Sequence, residues 1–473
     1  MIAGAVALGL PGAGAQAVCA QTVDAPAPQT RTEAAKPEVK ERYLVSKFPD
    51  KPSLAPSWTI PLDSLEYNAP GSIYLGARNA LASLDFLDEN HLLFTFRVPG
   101  LLHRDSEKGE DSIERQIRAF VLTLPYGAVA AQAQWTLHDR ARYLWPLKNG
   151  HFLLRDRNSL LEGDATLTLK PLLDFPGNLL SLDLDPAQQF MVTNSREPVA
   201  KPAKSGASSG DSSSANTNSA ASADNSSSGV SNSSQVGSPS SASADITMDE
   251  DSDRASAEPD LVVRILRRES GDVLLVSRVR SPVHLPINSE GYVENLRGRA
   301  AEWILNLSFF TGGSRMLGSV QSACSPTDDF LSEDEILVSG CGSEGETRLV
   351  AVTTAGKTLW ASQAPPTEIW PKLMTAANGL RFAWETLDSD HPLTSFAPMD
   401  PEDIKEQSVT VFDSATGDIA LVSPVSPTLD AGGNVALSPS GTRVALLFAG
   451  AIKVFQLPAP PALPPASARH PAH

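Results

Sequence analysis

The chain has 473 residues and a formal net charge of −17. That balance excludes a generic electrostatic grip on nucleic acid, which needs a basic footprint, and it disfavours adsorption to anionic lipid. A hydrophobic share of 41% over this length is ample for one large core or two smaller ones.

Residues 1–20 carry no charge and read as the apolar region of a secretory signal, with Val18-Cys19-Ala20 as a small-residue cleavage site. Pro11 and several Gly argue against a stable membrane span there. The expected location is therefore outside the cytoplasm, periplasmic or extracellular. Residues 21–54, rich in Pro, Ala and charge, predict a disordered lead-in, and residues 459–473 predict a Pro-rich extended tail. The folded body is expected over 55–458. Inside it, 18 of the 41 residues from Ser205 to Asp245 are Ser and none is aromatic, so a disordered insert is expected over 197–259. The acidic run from Asp245 to Asp260 holds −6 of the net charge.

One pattern recurs through the body: a strand, a tight polar turn and a second strand. It reads SLDFLDENHLLFTF around Asp88, LWPLKNGHFLL around Asn149 and SLDLDPAQQFMVT around Asp185. It returns around Glu290, Asp334 and Asn378, and ends as NVALSPSGTRVALLF around Ser440. The markers lie 61, 36, 105, 44, 44 and 62 residues apart. Once the insert and two polar stretches (Gly100 to Glu114, Asp388 to Gln407) are set aside, all but one of these spacings fall between 42 and 46. Seven units of this length with strand character predict an all-β fold, a seven-bladed β-propeller of four-stranded antiparallel blades.

Each marker sits between strands A and B, and strands C and D follow. In unit 3 these are LVVRIL and VLLVSRV, in unit 5 TRLVAV and TLWAS, and in unit 6 SVTVF and IALV. Glycines in the C–D turns supply positive φ at no steric cost. Unit 7 has strands A, B and C and then runs into prolines. The unassigned segment SWTIPL (Ser57 to Leu62) is expected to complete it, closing the ring with an N-terminal strand.

The unit NVALSPSGTRVALLF, with VFDSATGD before it, resembles the blades of WD40-like and YVTN-type β-propellers. TTAGKTLW (Thr353 to Trp360) resembles a quinoprotein-type blade ending. The resemblance spans roughly residues 55–458 and implies the architecture alone, because no Trp-Asp dipeptide occurs.

The residues offer little chemistry. The eight His are scattered, without the chelating spacing that a metal site needs. The one G-x-S-x-G match, Gly206 to Gly210, lies in the Ser-rich insert, outside any nucleophile-elbow context. Only Trp360 carries the context of a quinoprotein blade, and the other Trp residues read as core between blades. The arginines at 264, 267, 268, 278, 280, 297 and 299 read as charges blunting exposed strands, or as partners of the acidic run. No catalytic, cofactor-binding or metal-ligating residue is identified, and no cofactor is expected. Cys324 and Cys341 would close a loop of 18 residues as a disulfide, or remain two buried thiols.

The three long insertions begin 10 to 12 residues after their markers, between strands B and C. Antiparallel strands place all B–C loops on one face, and both cysteines belong there too. The expected function is an exported binding or scaffolding module that takes a protein, peptide or glycan on that face or at the channel mouth. Nucleic acid and a membrane span are not expected. The alternative is a quinoprotein-like dehydrogenase. An enzyme would show acids or histidines converging at the channel mouth; a binder would show an apolar-aromatic patch.

Overall fold

In the computed structural model, strands occur wherever β-branched and aromatic residues alternate between turn clusters, and they pair antiparallel in sequence order. The structure describes residues 42–43, 53–68, 82–98, 103–104, 113–138, 142–197, 261–364, 368–389, 404–425 and 434–460. All of them fall within one compact unit, 40–473. The signal segment, nearly all of the lead-in and insert, and most of the tail lie outside the described residues.

Seven antiparallel blades form the ring. Their strands A are Ala82–Phe86, Leu144–Pro146, Asn178–Leu184, an irregular segment at 283–287, Thr327–Ser332, Glu368–Thr375 and Val435–Leu437. Each except the fourth pairs with its own strand B in a four-stranded order. Blade 4 keeps three full strands, Gly291–Arg297, Glu302–Phe309 and Ser314–Gln321. Its strand A is reduced to the single bridge Ile287–Tyr292. Pro282 and Pro286 explain this, because a proline has no N–H to give to a ladder. Asn194 of blade 3 stands in: its side chain accepts from Val283 N and donates to Val283 O, both at 2.9 Å.

The strand period of two distributes the core. In strand B of blade 1 (His91–Arg97), Leu92, Phe94 and Phe96 face blade 7, while Leu93 faces blade 2. Repeating this around the ring gives seven buried apolar clusters, one for each seam between neighbouring blades. The seam between blades 7 and 1 contains Ile60, Leu62, Leu84, Phe94 and Ile452, so the ring is closed.

Closure is made by Trp58–Pro61, which pairs antiparallel with Ala451–Gln456 as the outer strand of blade 7. The lead-in departs from expectation at one place. Arg42–Tyr43 adds in parallel to the outer strand of blade 5 (Thr358–Ala364), aligning Arg42 with Ser362. The repeat pattern starts at residue 55, so this contact has no counterpart in it.

A–B and C–D turns lie on one face, here the turn face. B–C and D–A connections lie on the other, the loop face. All three long insertions join strands B and C: Arg97 to Ile113, Arg196 to Leu261, and Ser389 to Ile404. Cys324 and Cys341 form a disulfide on the same face. Cys324 lies in the connection from blade 4 to blade 5, and Cys341 ends strand B of blade 5.

Candidate functional site

The inner strands and A–B turns of all seven blades surround a cavity of about 540 Å³ along the ring axis. Strand A of blade 1 directs Asp85 toward it, strand A of blade 3 Asp183, and strand A of blade 5 Asp329. Blade 4 contributes His284, and the segment entering blade 2 contributes Arg142.

His284 lies between two carboxylates. Its Nδ1 is 3.3 Å from Asp183 Oδ2, and its Nε2 is 3.4 Å from Asp329 Oδ1 and 2.9 Å from Asp328 O. Both ring nitrogens face acceptors, an arrangement that only the imidazolium satisfies. Burial opposes the charge, but hydrogen bonds donated to Asp183 and Asp329 overcome it and push the pKa up to about 12. The ring is 42% exposed and lines the channel cavity. A histidine held charged in this way cannot accept a proton at neutral pH.

Arg142 donates through Nε to Leu144 O at 2.9 Å, and its guanidinium stands 5.3 Å from the centroid of the Trp145 ring. Burial lowers its pKa, while Asp85 and Asp183 oppose that shift. Asp328, the neighbour of Asp329, points the other way, out of the lumen. It accepts from Asn295 Nδ2 at 2.7 Å, and burial pushes its pKa up to about 7.

Acids and a histidine therefore converge in the channel, as an enzyme would show, and across blades 1 to 5 three carboxylates (Asp85, Asp183 and Asp329) face two cations, Arg142 and His284. Among the described residues no cluster of three or more His, Cys, Asp or Glu is arranged to hold a metal ion. Two of the polar markers are caps. Asp88 accepts from Asn90 N and His91 N, and Asn378 accepts from Leu380 N, each holding its own A–B turn. The arginine group divides. Arg264 is bidentate to Glu197, and Arg268 reaches Glu162 at 3.3 Å. Arg267 and Arg297 lie over Phe190 and Trp303.

Trp360 docks at the seam between blades 5 and 6. Its Nε1 donates to Ser414 O at 2.6 Å, and its ring lies against Gly417, where a Cβ would come within 2.6 Å. Trp135, Trp145 and Trp384 are buried as core.

The sequence reading did not foresee the channel residues, although a signal was present. Ser83-Leu84-Asp85 and Ser181-Leu182-Asp183 repeat the same tripeptide in two strands A. An Asp within an apolar inner strand marks a lumen position.

No protein family and no curated protein sequence matches the chain. Among solved structures it is similar to an acylaminoacyl peptidase of Pyrococcus horikoshii, with 9% identity and a TM-score of 0.41, over 79% of this chain and 50% of that one. It is similar also to the β-propeller domain of the Trilobed protease from Pyrococcus furiosus, with 8% identity and a TM-score of 0.41, over 80% and 94%. A third is a puromycin-hydrolyzing peptidase of Mycobacterium tuberculosis, with 12% identity and a TM-score of 0.38, over 80% and 52%. The chain spans about half the length of the two peptidases. Its own coordinates define the class: a seven-bladed β-propeller. Among the described residues no helix is long and apolar enough to cross a membrane.

Proposed function

We propose that the chain is an exported binding or scaffolding module that takes a protein, peptide or glycan on its loop face. One observation carries this reading: the long connections of blades 1, 3 and 6 all leave and rejoin on that face. Long loops on a rigid scaffold are where binding residues concentrate. The disulfide on the same face suits an oxidising compartment. Trp360 favours the dehydrogenase alternative at a single seam only.

The test is a photocrosslinking amino acid at Glu344, in the B–C turn of blade 5, compared with Lys357, in its C–D turn. Adducts in an envelope extract are expected from position 344 and not from 357. Equal adducts, adducts from 357 alone, or none from either would overturn the reading.

A further inference from the structure

The turn-face mouth of the channel has a feature that the deeper ring lacks. Six carboxylates line the cavity (Asp85, Asp183, Asp185, Asp329, Glu333 and Asp334) against three basic side chains, Arg142, Lys148 and His284. Deep in the lumen two cations serve three carboxylates, His284 between Asp183 and Asp329 and Arg142 in the field of Asp85 and Asp183, while in the A–B turns Lys148 alone accompanies Asp185, Glu333 and Asp334.

Asp185 and Glu333 occupy the A–B turns of blades 3 and 5, and the charge of Glu333 raises the cost of ionising Asp185. Glu333 already accepts from Ala187 N and Ser289 N, both at 2.8 Å. Asp185 Oδ1 accepts from Phe190 N at 2.6 Å, while its Oδ2 has no hydrogen-bond partner although the residue is only 1% exposed. The N–H groups of Gln189 and Ala187 also favour the charged carboxylate, but a buried oxygen without a hydrogen bond of normal geometry, beside a second carboxylate, is short of positive charge. Burial pushes the Asp185 pKa up to about 6, consistent with that deficit. The wall around the pair is apolar, with Leu147, Pro186, Pro286 and Leu331. An apolar wall with a carboxylate beyond it suits a methylene stem that ends in a charge.

We propose that the turn-face mouth is a binding site for a lysine side chain of a peptide, whose ammonium group pairs with Asp185 Oδ2 and Glu333. The site is at the opposite end of the channel from the loop face and does not depend on binding there.

The experiment is calorimetric titration of the whole protein with the blocked tripeptide acetyl-Gly-Lys-Gly-amide and its Gln counterpart. At low salt the Lys peptide is expected to bind at least tenfold more tightly, and Asp185→Asn or Glu333→Gln is expected to remove that preference. D185N keeps an acceptor for Phe190 N, so the turn retains its cap. Should either variant fail to fold, the Lys-against-Gln ratio on the native protein still decides. Equal binding of the two peptides, binding of neither, or a Lys preference that survives both substitutions in folded variants would overturn the proposal.

Discussion

The two faces of the ring differ in their connections. On the turn face the connections are short, and polar groups cross the seams. Glu89 of blade 1 accepts from Ser440 N of blade 7 at 2.7 Å, and Asn378 of blade 6 donates to Ser440 O at 2.7 Å. Gln188 of blade 3 accepts from Lys148 N of blade 2 at 2.6 Å, and Glu333 reaches both blade 3 and blade 4. Toward the loop face side chains also cross seams, from Asn194 to Val283 and from Asn295 to Asp328, but the contacts beside the insertion and the disulfide stay close to home. Glu197 joins neighbouring strands of one blade, and the disulfide ties a connection to the blade that it enters. Polar ties across the seams thus occur toward both faces, but only the loop face carries connections of widely varying length. Surface connections tolerate added length at little entropic cost, which lets insertions accumulate there.

The largest effect is expected on the turn face. Arg381 is 1% exposed and donates to Asp413 Oδ1 at 2.7 Å, Gly441 O at 3.1 Å and Pro458 O at 2.6 Å. Arg381→Met would strand a largely buried carboxylate and remove two ties from blade 6 to blade 7. A loss of about 3–5 kcal/mol is expected in urea unfolding, the cost of breaking a buried pair by removing one partner. A loss under about 1 kcal/mol would show that the seam does not depend on this side chain. On the loop face, replacing both Cys324 and Cys341 by Ser should cost about 3 kcal/mol, mostly through the entropy of the unfolded chain. The comparison fails if the cysteine variant is the more damaging of the two.

The fold was legible because a propeller writes its repeat into the spacing of turn residues. Val273–Val279 begins and ends where the alternation of VLLVSRV begins and ends. The segment around Trp58 was recognisable as a closing strand because unit 7 lacked one. The parallel contact of Arg42–Tyr43 was not legible, since two residues of backbone pairing leave no periodic trace. The channel was legible only in part. A polar residue in a strand reads as surface, and nothing local separates the outer surface from a lumen enclosed by seven distant segments. Glu197 illustrates the same limit. It stands where the composition turns polar, yet it is buried against Arg264, a partner 67 residues away.

That residue sharpens the reading of the insert. Arg196 pairs with Leu261, so the blade is already joined across the insertion point. Deleting residues 200–257 leaves a six-residue connection and should change stability by less than about 0.5 kcal/mol. Adding Glu197→Ala to that deletion should cost about 1–3 kcal/mol, because Arg264 then loses its carboxylate and keeps only Ser195 Oγ as an acceptor. The Arg264 hydrogen bonds hold the Glu197 pKa below its usual value. The stabilisation is therefore complete above the ordinary glutamate range and lost as pH falls through the folded value. Unfolding at pH 7 and pH 3 checks this: the cost of E197A should shrink at the lower pH. A large loss from the deletion alone would mean that the insert is part of the packed blade.

The smallest effect concerns the channel, and it has the opposite sign with pH. His284 has its folded pKa raised to about 12, above the ordinary histidine value of about 6.5. The folded state therefore holds a proton that the unfolded chain releases, and the stabilisation is full below about pH 6.5 and declines as pH rises toward 12. Asp328, raised to about 7 by burial, acts in the same direction between about pH 4 and 7. Wild-type stability should thus slope downward from pH 7 to pH 10, and His284→Gln should flatten that slope while leaving the fold intact. The ring is partly open to lumen water, so the change should be a modest one. Nuclear magnetic resonance of the imidazole gives the independent check: its carbon shift should stay at the protonated value from pH 6 to pH 9. A titration centred near 6.5 would mean that Asp183 and Asp329 do not hold the ring between them, and the charged belt joining blades 3, 4 and 5 would lose its central member.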